Sequence, residues 1–268
     1  MSVSPPKNLL KPLLKWAGGK RWLLPKLSQL WQPNRECRLV EPFMGSLSVA
    51  LGLQPGRALL NDANIHLTNL YHHLQQGLLV TIEMKNDRDF YYAMRARFNH
   101  LTSARKSQTS EAAQIFYYLN RTAFNGLCRF NNSGGFNVPF GKYKTINYLT
   151  DFSAYQAPLR SWEITCGDFE KLKLKVDDFI YADPPYDVQF TKYSQDDFRW
   201  EDQLRLTQWL AKHPGKVVLS NQATDRIVDL YINSGFTIDI VDAPRRISCN
   251  GDRRPAKEVI ACKGFLNN

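Results

Sequence analysis

The 268 residues include 43% hydrophobic side chains, enough to bury a sizeable core, so disorder is not the default. Lysine and arginine number 35 against 25 acidic residues, and the net charge of +10 favours a polyanionic partner through steering and non-specific attraction. No apolar run approaches the roughly 18 residues of a membrane span, the first residues lack the apolar core of a signal peptide, and the five cysteines have no C-x-x-C spacing. A cytoplasmic protein with free thiols, no membrane partner, no disulfide framework and no metal is expected.

In chain order, residues 20–31 read as a helix, 38–43 as a buried strand, 47–53 as a helix, 58–60 as a strand and 65–75 as a helix. Residues 77–155 then break the alternation. They are rich in Arg, Asn, Ser and aromatic residues, with helices expected at 90–101 and 111–122 around a polar loop at 103–110. Strands at 179–182, 216–220, 237–241 and 259–262 follow, with helices at 200–213 and 224–234. This alternation predicts an α/β sheet covered on both faces. The expected organisation is a catalytic domain from residues 1–76 and 156–268 with a second domain, 77–155, inserted into it.

Two stretches suit a nucleotide-like ligand. Leu39-Val40-Glu41-Pro42-Phe43-Met44-Gly45-Ser46 carries an apolar strand into a small-residue turn ahead of a helix, where α/β sheets leave room for such ligands. Leu59-Leu60-Asn61-Asp62 ends the next strand in a carboxylate placed to accept hydrogen bonds from ribose hydroxyls, the alternative being a helix N-cap. Upstream, Lys15-Trp16-Ala17-Gly18-Gly19-Lys20 has paired glycines that permit close backbone approach, but lacks the frame of a phosphate-binding P-loop. Trp16 could equally be core and Lys20 a solvated surface cation.

Asp183-Pro184-Pro185-Tyr186 follows the apolar strand Phe179-Ile180-Tyr181-Ala182. An aromatic amine is a poor nucleophile because its lone pair is delocalised into the ring. An enzyme that methylates one must hold the amine hydrogens with acceptors, which Asp183 and the Pro184 carbonyl can supply. The prolines donate no backbone hydrogen bond and stiffen the turn, and Tyr186 offers a stacking face for a base taken out of its helix.

With these motifs in place, the sequence resembles the Dam family of DNA adenine methyltransferases over most of its length. The marks occur in order: Lys15 to Lys20, Glu41-Pro42-Phe43-Met44-Gly45, Asp62, the long insertion and Asp183 to Tyr186. Most specific is Leu119-Asn120-Arg121-Thr122-Ala123-Phe124-Asn125-Gly126-Leu127-Cys128-Arg129-Phe130-Asn131, followed by Gly135-Phe136-Asn137-Val138-Pro139-Phe140-Gly141-Lys142-Tyr143. The resemblance implies a mixed, mostly parallel seven-stranded Rossmann-like methyltransferase sheet with an inserted, mainly helical recognition domain carrying a β-hairpin. It implies S-adenosylmethionine as cofactor, touching Trp16, Ala17, Gly18, Lys20, Glu41, Pro42, Phe43, Gly45, Asp62, Asp168 and Asp183. One departure stands out: Leu47 occupies a position where many relatives have a second glycine, so a reshaped cofactor loop is expected.

The family's best-studied subgroup targets GATC, and its roles carry over onto matching positions. Arg129 would contact a guanine edge, Leu127 and Pro139 thymine methyl groups, Phe124 and Asn125 the space around the flipped adenine and its orphaned partner, and Lys15 another base. Arg121, Asn131, Lys142 and Tyr143 would hold phosphates or support the hairpin. Phe116, Tyr117 and Tyr118 read as core, since three consecutive helical residues cannot face one ligand. Residues 245–254, with an Asn-Gly turn between basic pairs, suggest a second hairpin on phosphates. His66, His72, His73, His100 and His213 show no ligand spacing. The expected partner is double-stranded DNA, bound by a monomer or by a dimer on DNA. The rival readings are methylation of RNA adenine or protein glutamine, and a catalytically silent DNA-binding protein.

Overall fold

A computed structural model of the chain describes residues 10–187, 198–244 and 256–265. The basic hairpin expected at 245–254, with Cys249, lies outside the described residues. Seven strands form one sheet: β1 (Leu39–Glu41), β2 (Ala58–Asp62), β3 (Trp162–Cys166), β4 (Phe179–Ala182), β5 (Lys216–Gln222), β6 (Thr237–Ala243) and β7 (Ala256–Lys263). Their spatial order is β3-β2-β1-β4-β5-β7-β6. The first five run parallel, and β7 lies antiparallel between β5 and β6. This is the mixed seven-stranded sheet that the family resemblance implies.

The helices are α1 (Leu24–Trp31), α2 (Ala50–Leu53), α3 (Ile65–Gln75), α4 (Arg88–Ser103), α5 (Ser110–Thr122), α6 (Ser153–Arg160), α7 (Trp200–Lys212) and α8 (Asp225–Asn233). Three differ from expectation for local reasons. The helix expected from residue 20 splits into a 3-10 turn, Arg21–Leu23, and α1, whose first turn holds Pro25, where a missing N–H breaks no helical bond. The helix expected at 47–53 shrinks to α2 because Leu47 takes φ +58°, outside right-handed helical space. Strand β3 and helix α6 carry weak signals: β3 buries Trp162 and Ile164 but exposes Glu163, as an edge strand can, and α6 contains Pro158.

Strand alternation divides the core cleanly. Leu39, Leu60, Phe179, Tyr181, Val218 and Ile260 face a core shared with α1 to α6, while Val40, Leu59, Ile180, Val217, Leu219, Val259 and Ala261 face α7 and α8. The same parity sends Glu41, Asp62, Asp183, Ser220 and Glu258 toward the first of these faces. Four carboxylates are thus gathered on one side of the sheet by period alone.

The segment 77–155 packs on that side. α5 lies against α3 and α4, and Phe116, Tyr117 and Tyr118 are all buried, because α5 is enclosed all round rather than amphipathic. Tyr117 and Tyr118 satisfy their hydroxyls at the rim: the first accepts from the Leu149 N–H at 2.8 Å and the second donates to the Lys85 carbonyl at 2.8 Å. His66 of α3 lies under this segment, with ring centroids 4.8 Å from Phe98 and 5.0 Å from Phe130, the latter stacked. Its Nδ1 is buried without a partner, and burial lowers its pKa to about 4.

This histidine makes stability depend on pH with a definite sign. Between about pH 6.5 and 4 the unfolded chain binds a proton at residue 66 that the folded chain does not, so its contribution is complete above pH 6.5 and falls as pH drops toward 4. Asp62, whose pKa is raised, titrates in the same window with the opposite sign. The comparison is therefore between the wild type and His66→Phe, which keeps the stacking. The wild type should lose up to roughly 3 kcal/mol more than the variant from pH 6.5 to 4, measured by denaturant melts.

Candidate active site

Lys20, which composition alone would leave on the surface, is only 2% exposed. Its ammonium donates to the Gly18 carbonyl at 2.9 Å, lies 3.0 Å from Asp183 Oδ1 and 3.8 Å from Glu258 Oε2, and sits 4.7 Å from the centre of the Tyr186 ring. Its backbone N–H donates to Ser48 Oγ. Asp183 Oδ1 also accepts from Ser220 Oγ at 2.9 Å, and Ser220 Oγ is 2.9 Å from the Tyr181 hydroxyl. One carboxylate oxygen is therefore doubly engaged, while no described residue donates to Oδ2.

The turn after β4 is held from α7. Gln203, 1% exposed, donates to the Pro185 carbonyl at 2.8 Å and accepts from Asn221 at 3.1 Å, and Asn221 also pairs with the Tyr231 hydroxyl at 3.0 Å. Pro184 is buried and Pro185 exposed, so the rigid turn presents one proline outward. Burial raises the pKa of Asp183, opposed by Lys20 and Ser220. Burial, then the charges of Asp183 and Glu258, lift the Tyr186 phenol far above its ordinary value.

On the neighbouring strands, Glu41 is 3% exposed, with Oε1 lacking any partner, and burial drives its pKa well up. Asp62 accepts from Gly45 N–H at 3.1 Å and Asn64 N–H at 2.9 Å, and burial pushes its pKa up to about 6. The N-cap of α3 is Asn64, so Asp62 is not occupied as a helix cap. Gly45 has φ +46°, and a Cβ there would lie 3.0 Å from the indole nitrogen of Trp16. Phe43 borders Phe169 and Phe198, at centroid distances of 5.8 and 5.5 Å. Asp168 is already bound by Arg205 through two hydrogen bonds of 2.9 and 2.8 Å. Of the cofactor positions named from sequence, Gly45 lies against Trp16 and donates to Asp62, Lys20 joins Gly18 to Asp183, the Pro42 carbonyl accepts from Asn61, and Glu41 is buried on the same face of the sheet. Ala17 is exposed, Phe43 forms an aromatic flank, and Asp168 is drawn toward α7.

This donor set suits a cation carrying vicinal hydroxyls. Four carboxylates are gathered on this side of the sheet, two of them, Asp183 and Glu258, beside the Lys20 ammonium; Glu41 Oε1 and Glu258 Oε2 are buried without a hydrogen-bond partner, and Asp62 stands at a strand end with acceptor capacity to spare.

Residues 16–247 match the family of D12 class N6 adenine-specific DNA methyltransferases. The chain belongs to that family. It is 36% identical to a DNA adenine methylase of Haemophilus influenzae, the alignment covering 97% of this chain and 96% of that one. A retron Ec67 DNA adenine methylase of Escherichia coli is 34% identical, over 95% of this chain and 92% of that protein. A DNA N-6-adenine-methyltransferase of Escherichia phage P1 is 35% identical over 94% of this chain, which spans 35% of that relative's length. The protein is thus an adenine-specific DNA methyltransferase, and among the described residues no helix is long and apolar enough to cross a membrane.

The positions that the family resemblance assigns to DNA differ in exposure and in what they hold. Phe124, Asn125, Pro139 and Lys142 are exposed, with Phe124 at 47%, and Asn125 and Lys142 hold positive φ. Leu127 and Arg129 are half-buried. The Arg129 guanidinium donates to Asn137 Oδ1 at 2.7 Å and to the Asn137 carbonyl at 3.3 Å, which fixes its plane. Asn131, Arg121 and Tyr143 serve structure first. Asn131 accepts from Ser133 and Gly135 N–H in the hairpin turn, Arg121 donates to the Leu13 and Asn147 carbonyls, and Tyr143 donates to the Ala123 carbonyl. Lys15 is clamped by Asn120, which accepts from its N–H at 2.9 Å and donates to its carbonyl at 2.8 Å. Its ammonium lies 3.7 Å over the Tyr143 ring, and burial with the nearby Arg121 charge lowers its pKa to about 8.

Ser220, Gln203, Asn221 and Glu258 were not named from sequence. A signal existed: each is a polar residue in an otherwise apolar strand or helix face, and Glu258 shares the parity of Ile260. Leu47 is the converse case. Leu47 takes φ +58°, left-handed space that favours glycine, while 1% exposed, at the expense of strain of roughly 1–2 kcal/mol. Leu47→Gly would relieve that strain but empty a core site where loss of a leucine costs about 2–5 kcal/mol. We expect a net destabilisation of roughly 1–3 kcal/mol, measured by urea denaturation.

Proposed function

We propose that the protein transfers the methyl group of S-adenosylmethionine to the exocyclic amine of an adenine flipped out of duplex DNA, within the sequence GATC. The observation that carries this reading is Asp183: one oxygen is pinned by Lys20 and Ser220, and the other is left for a substrate hydrogen. S-adenosylmethionine, when bound, supplies an electrophilic methyl group on a cationic sulfur. Glu41, Asp62 and Asp183 would balance its positive charges and hold its hydroxyls, with Trp16, Gly18 and Gly45 forming the close-fitting wall and Phe43 an aromatic surface.

Asp183 Oδ2 and the Pro184 carbonyl would accept the two amine hydrogens, turning the nitrogen lone pair toward the methyl group. Tyr186 would stack on the base, and Gln203 would keep the turn from yielding. Positive charge passing to the amine as the sulfur–methyl bond breaks would be stabilised by anionic Asp183 until the amine proton is lost to solvent. No covalent enzyme intermediate is needed, since the amine itself is the nucleophile.

Segment 77–155 would act as the DNA-recognition insertion. Arg129, its guanidinium plane preset by Asn137, would read a guanine edge, while Leu127 and Pro139 pack on thymine methyl groups. Phe124 and Asn125 would fill the space left by the flipped base, and Lys15 and Lys142 would contact the duplex beside them.

Asp183→Ala should remain folded and bind duplex DNA while losing nearly all transfer of labelled methyl groups; near-normal turnover would sink the assignment. Arg129→Ala should relax discrimination at one base pair by roughly 1–3 kcal/mol, read from modified adenines mapped on mixed-sequence DNA. Weaker action on all sequences alike would place Arg129 on phosphate instead.

A further inference from the structure

Glu258 is a buried acid outside the residues proposed to hold the substrate or the methyl donor. It lies on β7, opposite Gln222 of β5 and Val241 of β6, and is 7% exposed. A carboxylate in that setting costs several kcal/mol unless a partner compensates it. Among the described residues its nearest cation is Lys20, 3.8 Å from an Oε2 that has no hydrogen-bond partner, and it adjoins the Tyr186 phenol.

An ammonium has three N–H donors. For Lys20 the Gly18 carbonyl takes one and Asp183 Oδ1 takes another. The remaining charge is shared between Glu258 and the face of Tyr186. Without Glu258 the ammonium would be drawn wholly to Asp183, where its spare donor could reach Oδ2, the oxygen needed for the target amine. It would also lose the pull that keeps it over the ring.

We propose that Glu258 is a positioning residue for methyl transfer, which by sharing Lys20 with Asp183 leaves the second Asp183 oxygen open to the adenine amine and holds Lys20 over Tyr186. It touches neither substrate nor methyl donor and acts through Lys20. The assignment rests on the proposed role of Asp183.

Asp183 is faced by Lys20, by Ser220 and Tyr181 on β5 and β4, by Glu41 on β1, by Tyr186 in its own turn, by Tyr231 on α8 and by Glu258 on β7. Removing the Glu258 charge removes a like charge from this set and leaves Lys20 to Asp183 alone. The anionic form of Asp183 is then favoured, and the acid limb of the kcat profile moves to lower pH.

The test uses the full chain with saturating S-adenosylmethionine and duplex DNA, comparing wild type, Asp183→Ala, Glu258→Gln and Glu258→Asp from pH 5 to 8. Glu258→Gln should lower kcat at least tenfold, leave KM for DNA within twofold and shift the acid limb downward. Glu258→Asp, which keeps the charge, should recover part of kcat and the wild-type limb. A Glu258→Gln enzyme with wild-type kcat and acid limb, beside an inactive Asp183→Ala, overturns the inference alone. Equal losses in both Glu258 variants, with raised KM and lower melting midpoints, reduce Glu258 to packing and also overturn it. Full turnover by Asp183→Ala removes the underlying reading itself.

Discussion

A lysine ammonium removed from water must be surrounded by acceptors, and much of this structure follows from where Lys20 finds them. The Gly18 carbonyl and Ser48 hydroxyl fix the segment locally, while Asp183 and Glu258 come from strands far away in sequence. Satisfying that one cation joins the N-terminal segment to the sheet, seats it under Tyr186 and engages half of the Asp183 carboxylate. The same segment begins at Lys15, whose backbone is clamped by Asn120 of α5. Six residues therefore connect α5 to the carboxylate at the centre of the candidate site.

The charge balance around Lys20 is not optimal for stability. Glu41, Asp62, Asp183 and Glu258 are each pushed toward their neutral forms by burial, and Lys20 lies beside only Asp183 and Glu258. Such surplus buried charge is commonest at functional sites, where a ligand of opposite sign completes the set. A cationic methyl donor would do so, and the charge that develops on a methylated amine is of the same sign. The features that burden folding are thus those that favour the reaction.

Segment 77–155 meets a different constraint, that of holding a small hairpin still. The hairpin around residues 130–136 has few ladder hydrogen bonds of its own, with isolated pairings at Phe130 with Phe136 and Ala123 with Phe140. Helix α4 supplies the rest. Asn99 both accepts from and donates to Phe136, and Tyr91 and Arg95 both donate to the Val138 carbonyl. Beneath, His66, Phe98, Phe116 and Phe130 form a continuous aromatic layer onto α3. Side chains placed on so fixed a backbone, Arg129 among them, would meet a duplex with little left to order.

Sequence alone determined the class of fold, most strand and helix positions, the rigid turn at Asp183 to Tyr186 and the kinship that names the reaction, because hydrophobic period, proline chemistry and contiguous motifs are local properties. It did not reveal β3, whose half-buried edge pattern is weak, nor that Leu47 would hold a glycine's backbone angle. Nor did it tell whether Lys20 is solvated or buried, or that Glu258 belongs beside Asp183. Those were decided by the sheet order, which places β7 next to β5 and sends residues of one parity to one face. A side chain's partner 238 positions away, as Glu258 is from Lys20, leaves no periodic trace near either residue; only the folded chain brings their charges within 3.8 Å.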